Sequence, residues 1–290
     1  VRTPNLEVIA MSESSPLSRR EFLHTTAKAG ALGAAVPYFI PAGALGTTGK
    51  PGANSRIHLG LIGAGGMGRH NLENCAKHDD VAVTAVCEVA QDRLEMTVAK
   101  YKKSAKPYHD YRDLLRQKDV DAVIIASPPH WHALMAIDAC EAGKDLYLQK
   151  PMTLHLAESV AVKAAVKRHH RICQVGTQCH SGTNYPKVVE KIKSGLLGKI
   201  SVVRTFNVLN LGADGIGHDP NCAPPPGLDW DLWVGPGPMR PFNPLIVKDS
   251  FTHSSFMAYS GGWTPCWAPH IIDLPVWALN LGLPTMVSSS

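Results

Sequence analysis

No CxxC pair occurs in this sequence, and no regular spacing relates its seven cysteines, Cys75, Cys87, Cys140, Cys173, Cys179, Cys222 and Cys266. Structural zinc sites and disulfide frameworks need such spacing, so neither organises this chain. Several of the seven lie in apolar segments, where a free thiol behaves as a small hydrophobe, and the chain reads as one that folds reduced. A concentrated basic stripe is missing too. The formal charge is +5, and the tightest clusters are the pairs Arg19-Arg20, Lys102-Lys103 and Lys167-Arg168. A nucleic-acid surface needs more than solvated pairs, which sets that class of partner aside. The apolar run from Ala29 to Ile40 is too short to cross a bilayer as an ordinary helix, so no stable membrane span is expected.

What is present is a 290-residue chain, 44% hydrophobic and 18% charged, long enough for two domains with cores of their own. Its first segment, "SRREFLHTTAKAGALGAAVPYFIPAGALG", holds the twin arginine Arg19-Arg20, then Phe22 and Leu23, a weakly apolar run, and small residues around Ala42-Gly43-Ala44. That order resembles a twin-arginine leader, the export route for proteins already folded, with Met11 as its natural start. A periplasmic or exported location is therefore expected. The expected organisation is an extension and signal over 1–45, a linker over 46–55, a nucleotide-binding domain over 56–178 and a partial second α/β domain over 179–290.

The segment "RIHLGLIGAGGMGRHNLENCAKH" predicts a strand from Ile57 to Ile62, a glycine turn, and a helix to about His78. GxGxxG alone is a weak signal; leaving an apolar strand and opening a helix gives it meaning. Gly63 permits the tight turn, Gly65 lets backbone approach a pyrophosphate, and Gly68 lets helix and strand pack closely. Ala64, Gly66 and Met67 complete the expected cofactor turn, and the free N–H groups at the positive end of the helix face the phosphates. A second strand, Val81 to Val86, ends at Cys87-Glu88. Glu88 lies 20 residues past Gly68, where a carboxylate would accept from ribose hydroxyls and repel a 2′-phosphate. NAD is favoured as cofactor, with Arg93 nearby keeping NADP as the second choice.

The alternation continues through helices "AQDRLEMTVAKY" and "DYRDLLRQ", strand "DAVIIASPP", helix "HWHALMAIDACEAG" closed by Gly143, strand "DLYLQKP", helix "LHLAESVAVKAAVKRHH" and strand "RICQVGTQ". Apolar strands alternating with helices predict an α/β fold, a Rossmann-type doubly wound parallel sheet. Ligands bind at the carboxyl ends of such strands. Ser127, Pro128, Gln149, Lys150 and Gln178 fall there, and His132 starts the following helix. His130 and His132 are expected near the cofactor edge, at a helix start where solvated residues are common. Beyond Gly176 the sequence predicts a helix over "YPKVVEKIKSGLLG", a long strand over "KISVVRTFNVLNL", and a Pro/Gly-rich stretch from Asp214 to Pro244 in which "GLDWDLWVGP" packs two tryptophans. A helix from about His270 to Leu281 and the start of a strand follow.

Together, the leader, "GLIGAGGMGRHN", "SPPHWHALMAIDACEAGKDLYLQKPMT", "QVGTQ", "GLDWDLWVGP" and "GGWTPCWAPHIIDLPVWAL" resemble the Gfo/Idh/MocA family, relatives of glucose-fructose oxidoreductase and inositol dehydrogenase, in its twin-arginine-exported form. The resemblance covers the chain from about Arg19 onward. It implies a second, open-sheet α+β domain, here incomplete because the chain stops at Ser290 as that sheet would begin. It also implies homo-oligomers for the full-length family. In the family pattern the stretch at Gln149 is Glu-Lys-Pro, with the lysine in the active site; Lys150 matches it and Gln149 departs from it. The family's catalytic histidine matches His270, but the aspartate often found four residues before it is Cys266 here. Asp273, one turn on, is the compensating carboxylate the resemblance offers.

The function implied is hydride transfer between NAD and a secondary hydroxyl of a sugar, glycoside or cyclitol, with His270 as base and Lys150 steadying the developing charge on oxygen. Two further readings stand beside it. One is glycoside cleavage through transient oxidation and re-reduction; the other is a non-catalytic nucleotide-binding member, motivated by the changes at 149 and 266. A metal set of His130, His132, Cys266 and His270 has no recognised ligand spacing, and no metal is expected.

Overall fold

The computed structural model describes residues 51–52, 55–101, 104–208, 213–249 and 251–288. The segment expected to be a leader and most of the expected linker lie outside the described residues. Six strands form one sheet: β1 (Ile57–Ile62), β2 (Val81–Cys87), β3 (Lys106–Tyr108), β4 (Ala122–Ile125), β5 (Asp145–Gln149) and β6 (Cys173–Gly176). Their order is β3-β2-β1-β4-β5-β6 and every pairing is parallel. This is the strand order of a dinucleotide-binding fold, reversing direction between β1 and β4.

Alternate side chains of each strand explain why both faces are covered. Ile62, Val123, Ile125 and Leu148 enter one core with α3 (Tyr111–Leu115), α4 (Pro129–Glu141) and α5 (Leu156–Arg168), through Leu114, Ala136 and Val162. Leu59, Leu61, Val86 and Ile124 enter the other with α1 (Gly66–Cys75) and α2 (Gln91–Lys100), through Leu72 and Leu94. A strand with a buried neighbour on each side must be apolar throughout, which is the pattern the sequence displays. Only β3 escaped that pattern. It is three residues, exposed at the sheet edge, with Pro107 in its centre, and proline is tolerated in a strand only at an edge.

Past β6 come a 3-10 turn (Gln178–Ser181), α6 (Asn184–Lys193), α7 (Trp230–Val234), α8 (Pro244–Val247), a second 3-10 turn (Thr252–Ser255), α9 (Met257–Ser260), α10 (Trp263–Ile271) and α11 (Asp273–Leu279). The predicted tryptophan loop is well packed: Trp230 stacks on Trp233 at 4.9 Å between centroids, with Phe242, Ile246 and Tyr259 around them. Asp229 caps α7 by accepting from Leu232 N–H. The isolated bridge Ala90–Leu228 and the His109–Asp229 pair tie this region to the exits of β2 and β3.

Three expectations fail here. No strand forms among the described residues after β6, so the long strand expected over "KISVVRTFNVLNL" is not seen there. Ser201–Val208 is irregular, with Val202, Phe206 and Val208 71%, 81% and 80% exposed. A β pattern becomes a strand only when a neighbour pairs its backbone, and no described segment does so. The strand expected after the last helix is likewise absent over 281–288. Third, the helix expected to start at His270 starts at Trp263. Its prolines, Pro265 and Pro269, read as turn signals but sit inside α10, so His270 occupies the last turn of that helix.

Candidate active site

The glycine turn is built as its residue types require. Gly63 has φ +90°, and a Cβ there would lie 2.7 Å from the Ala126 carbonyl carbon and the Ser127 nitrogen. A Cβ on Gly68 would come within 2.0 Å of the Gly63 carbonyl oxygen, so helix and turn touch only because it is glycine. Gly65 differs: nothing lies within 4 Å of its missing side chain, and the space before α1 is open. That open face, with the helix N-terminus behind it, fits a pyrophosphate approaching backbone N–H groups. Gly63, Gly65, Gly66 and Met67 line the cavity in front of β1, β4 and β5, and Ala64 is buried behind them.

Glu88 stands at the end of β2 as predicted, but its carboxylate has a second task. Oε2 accepts from Ala64 N–H at 2.7 Å, and Oε1 accepts from Val89 and Ala90 N–H at 2.9 and 3.1 Å. Burial pushes its pKa up while these three donors pull the other way. Glu88 therefore braces the glycine turn and retains acceptor capacity toward the cavity it lines, beside Arg93. The donor set and the open Gly65 face fit an adenine dinucleotide, which Gly65, Gly66, Met67, Glu88 and Arg93 would hold.

At the exit of β5 the backbone is held rather than loose. The Lys150–Pro151 peptide is cis. Gln149 Oε1 accepts the Lys150 N–H at 2.9 Å, and the Pro151 carbonyl lies 2.8 Å from His132 Nδ1, whose other ring nitrogen meets the Ser127 carbonyl at 2.8 Å. Lys150 is half-buried on the cavity wall, and Nζ reaches the Cys266 carbonyl at 3.4 Å. Burial lowers its pKa, and the nearby thiols Cys266 and Cys179 pull it back. Ser127, Pro128 and Gln149 share that wall.

The opposite wall comes from the second 3-10 turn and α10, which bring His253, Ser254, Trp263, Cys266, Trp267 and His270 to the same cavity. His270 is half-buried, and its Nδ1 lies 3.5 Å from Cys179 Sγ. Its backbone carbonyl accepts from the Tyr185 hydroxyl at 2.6 Å. Burial lowers the His270 pKa first and the Lys150 charge second. The imidazole is thus neutral near pH 7 and able to accept a proton.

Several expectations need correction. Asp273 does not line the cavity: it pairs with His180, whose ring stacks on Trp277, so it does not stand in for the missing aspartate beside His270. Gln178 is exposed and outside the cavity wall. His130 and His132 are not solvated: they are 4% and 1% exposed, and neither lines the cavity. His130 bridges the Tyr259 and Trp233 carbonyls, at 3.1 Å each, and so ties α4 to α7 and α9. His132 lies between the Pro151 and Ser127 carbonyls and, as a neutral ring, donates to one of the two; burial pushes its pKa down to about 4. Among the described residues no three His, Cys, Asp or Glu side chains are grouped to hold a metal ion.

One residue was missed. His253 lines the cavity from the 3-10 turn, half-buried, and nothing in "KDSFTHSSF" marks it. Burial first, then coupling to the neighbouring His130, His132 and Lys150, pushes its pKa down to about 4. Only the tertiary fold brings residue 253 to residue 150.

Comparison with known proteins agrees with this architecture. Residues 57–177 match the family model GFO_IDH_MocA, described as "Oxidoreductase family, NAD-binding Rossmann fold". The chain is 33% identical over 145 residues to inositol 2-dehydrogenase of Salmonella paratyphi B, covering 49% of this chain and 43% of that protein. It is 28% identical over 152 residues to a glycosyl hydrolase family 109 protein of Shewanella sp. W3-18-1, covering 50% of this chain and 33% of that protein. The crystal structure of myo-inositol 2-dehydrogenase from Lactobacillus plantarum superposes with a TM-score of 0.47 at 26% identity, over 50% of this chain and 43% of that one. The chain thus spans less than half the length of these relatives. Over residues 57–177 the chain is thus similar to the NAD-binding Rossmann fold of the Gfo/Idh/MocA oxidoreductases.

Proposed function

We propose that this protein transfers hydride between NAD and a secondary hydroxyl of a sugar, glycoside or cyclitol. The observation that carries the reading is that one cavity joins the open Gly65 face to Lys150 and His270. NAD, when bound, supplies the hydride acceptor or donor. His270, neutral because burial and Lys150 disfavour its charged form, accepts the hydroxyl proton at a ring nitrogen. Lys150 Nζ donates to the same substrate oxygen and stabilises the negative charge that develops there. Trp263 and Trp267 wall the site, limit water, and offer flat apolar faces of the kind that pack against ring C–H groups. Glu88, toward the ribose, supports NAD over NADP.

The test is NADH formation by the full chain on a panel of sugars, glycosides and cyclitols, with Lys150→Met and His270→Asn alongside. The proposal expects turnover with at least one neutral or charged polyol and its loss in both variants. Turnover that survives both substitutions would contradict the assigned roles. Release of an aglycone without net NADH would instead favour the transient-oxidation reading. The leader adds a proposal of export, which a reporter fusion compared with Arg19→Lys/Arg20→Lys would test.

A further inference from the structure

The two ends of the cavity differ in their ionisable groups. The nucleotide end carries Glu88 and Asp110 beside Arg93 and His109. The reacting end carries Lys150, His253 and His270, and its single carboxylate among the lining residues is Asp249. Asp249 acts electrostatically on His253, and its Oδ1 accepts from Phe251 N–H at 2.6 Å and from Thr252 N–H at 2.8 Å. Lys150 Nζ touches only the neutral Cys266 carbonyl. A half-buried ammonium without a counter-ion is costly, and the fold supplies none among the described residues. Two further donors in the same wall, Gln149 Nε2 and Trp267 Nε1, are buried with no acceptor. Gln149 cannot resolve this by turning its amide over, because Oε1 already accepts the Lys150 N–H. Position 149 is an amide and position 266 a thiol, so neither returns negative charge to the site.

We propose that the substrate brings the missing charge: the reacting end takes a carboxylate-bearing sugar or polyol, a uronate or aldonate, with the carboxylate between Lys150 and His253 while a ring or chain hydroxyl faces His270. This rests on the dehydrogenase reading above and narrows its substrate class. The alternatives are weaker on charge grounds. A neutral sugar would leave Lys150 uncompensated, and an amino sugar would add a second cation beside it.

The experiment is calorimetric titration of the NAD-saturated full chain with matched pairs: glucuronate and glucose, galacturonate and galactose, gluconate and glucitol. At least one acid should bind about tenfold or more tightly than its neutral partner, as a charge-assisted hydrogen bond implies. His253→Gln should weaken binding of the acid several-fold more than binding of its neutral partner, a split that a merely structural role would not produce. The wild-type comparison decides the matter even if the variant folds poorly. Neutral partners binding as well as or better than every acid, or no binding by any acid, would overturn the proposal. Acid binding without NADH formation would leave the anion site standing and remove the dehydrogenase reading; turnover of neutral polyols alone would do the reverse.

Discussion

Lys150 was legible in the sequence because a lysine followed by proline at the end of a buried strand is unusual, and strand ends of a parallel sheet are where ligands bind. The structure adds what holds it: Gln149 Oε1 on its own N–H, and His132 beside the next carbonyl. His253 was not legible, because its chemistry arises from a contact between a short 3-10 turn and a strand end about a hundred residues earlier. Asp273 misled because helical spacing alone put it one turn from His270, whereas the break between α10 and α11 turns it toward His180. At this scale Lys150→Met should lower turnover by about 100-fold or more, the usual loss when a donor to a developing oxyanion is removed. It should also raise the His270 pKa toward its ordinary value, since a neighbouring positive charge is lost. Imidazole NMR titration reads that shift even when turnover is gone. A pKa that stays put or falls would show that Lys150 and His270 do not share a field.

At the scale of elements, five of the six strands announced themselves by unbroken apolar runs, and their helices by the returns between them. The sixth, β3, is too short and too exposed to show a period. Beyond β6 the reading weakened for a physical reason: Ser201–Val208 has strand-like residues but no paired neighbour, and α10 accommodates prolines that local rules assign to turns. The glycine turn gives a sharp contrast between elements and ligand. Gly68→Ala forces a Cβ to within 2.0 Å of the Gly63 oxygen, which must push α1 off β1. It should cost on the order of 1–3 kcal/mol of stability, as overpacked sites do, and weaken NAD binding as well. Denaturant melts would register the first effect; an unchanged midpoint would mean the turn is looser than the structure shows.

For the whole molecule, the buried histidines make stability depend on pH. The folded pKa of His132 is depressed to about 4, while an unfolded histidine titrates near 6.5. Between those values the unfolded chain binds the extra proton, so stability is full above the upper value and declines as pH falls toward the lower one. The loss from His132 alone is on the order of 3 kcal/mol. Facing it are His130 on the same helix, the Ser127 and Pro151 carbonyls, and His253, which adds to the same slope. Urea melts across that range should show the decline, and His132→Gln should flatten it; a midpoint independent of pH would contradict the neutral assignment. The central claim is that the open face before α1 holds NAD, and Gly65 tests it most directly. Its φ of −67° and ψ of −174° suit any residue, and no protein atom crowds its missing side chain. Calorimetric titration with NAD should therefore show saturable binding to the wild-type chain and none to Gly65→Val, with the two melting at the same temperature. A wild-type chain that takes up no NAD, or a valine variant that binds it as well, would contradict the account.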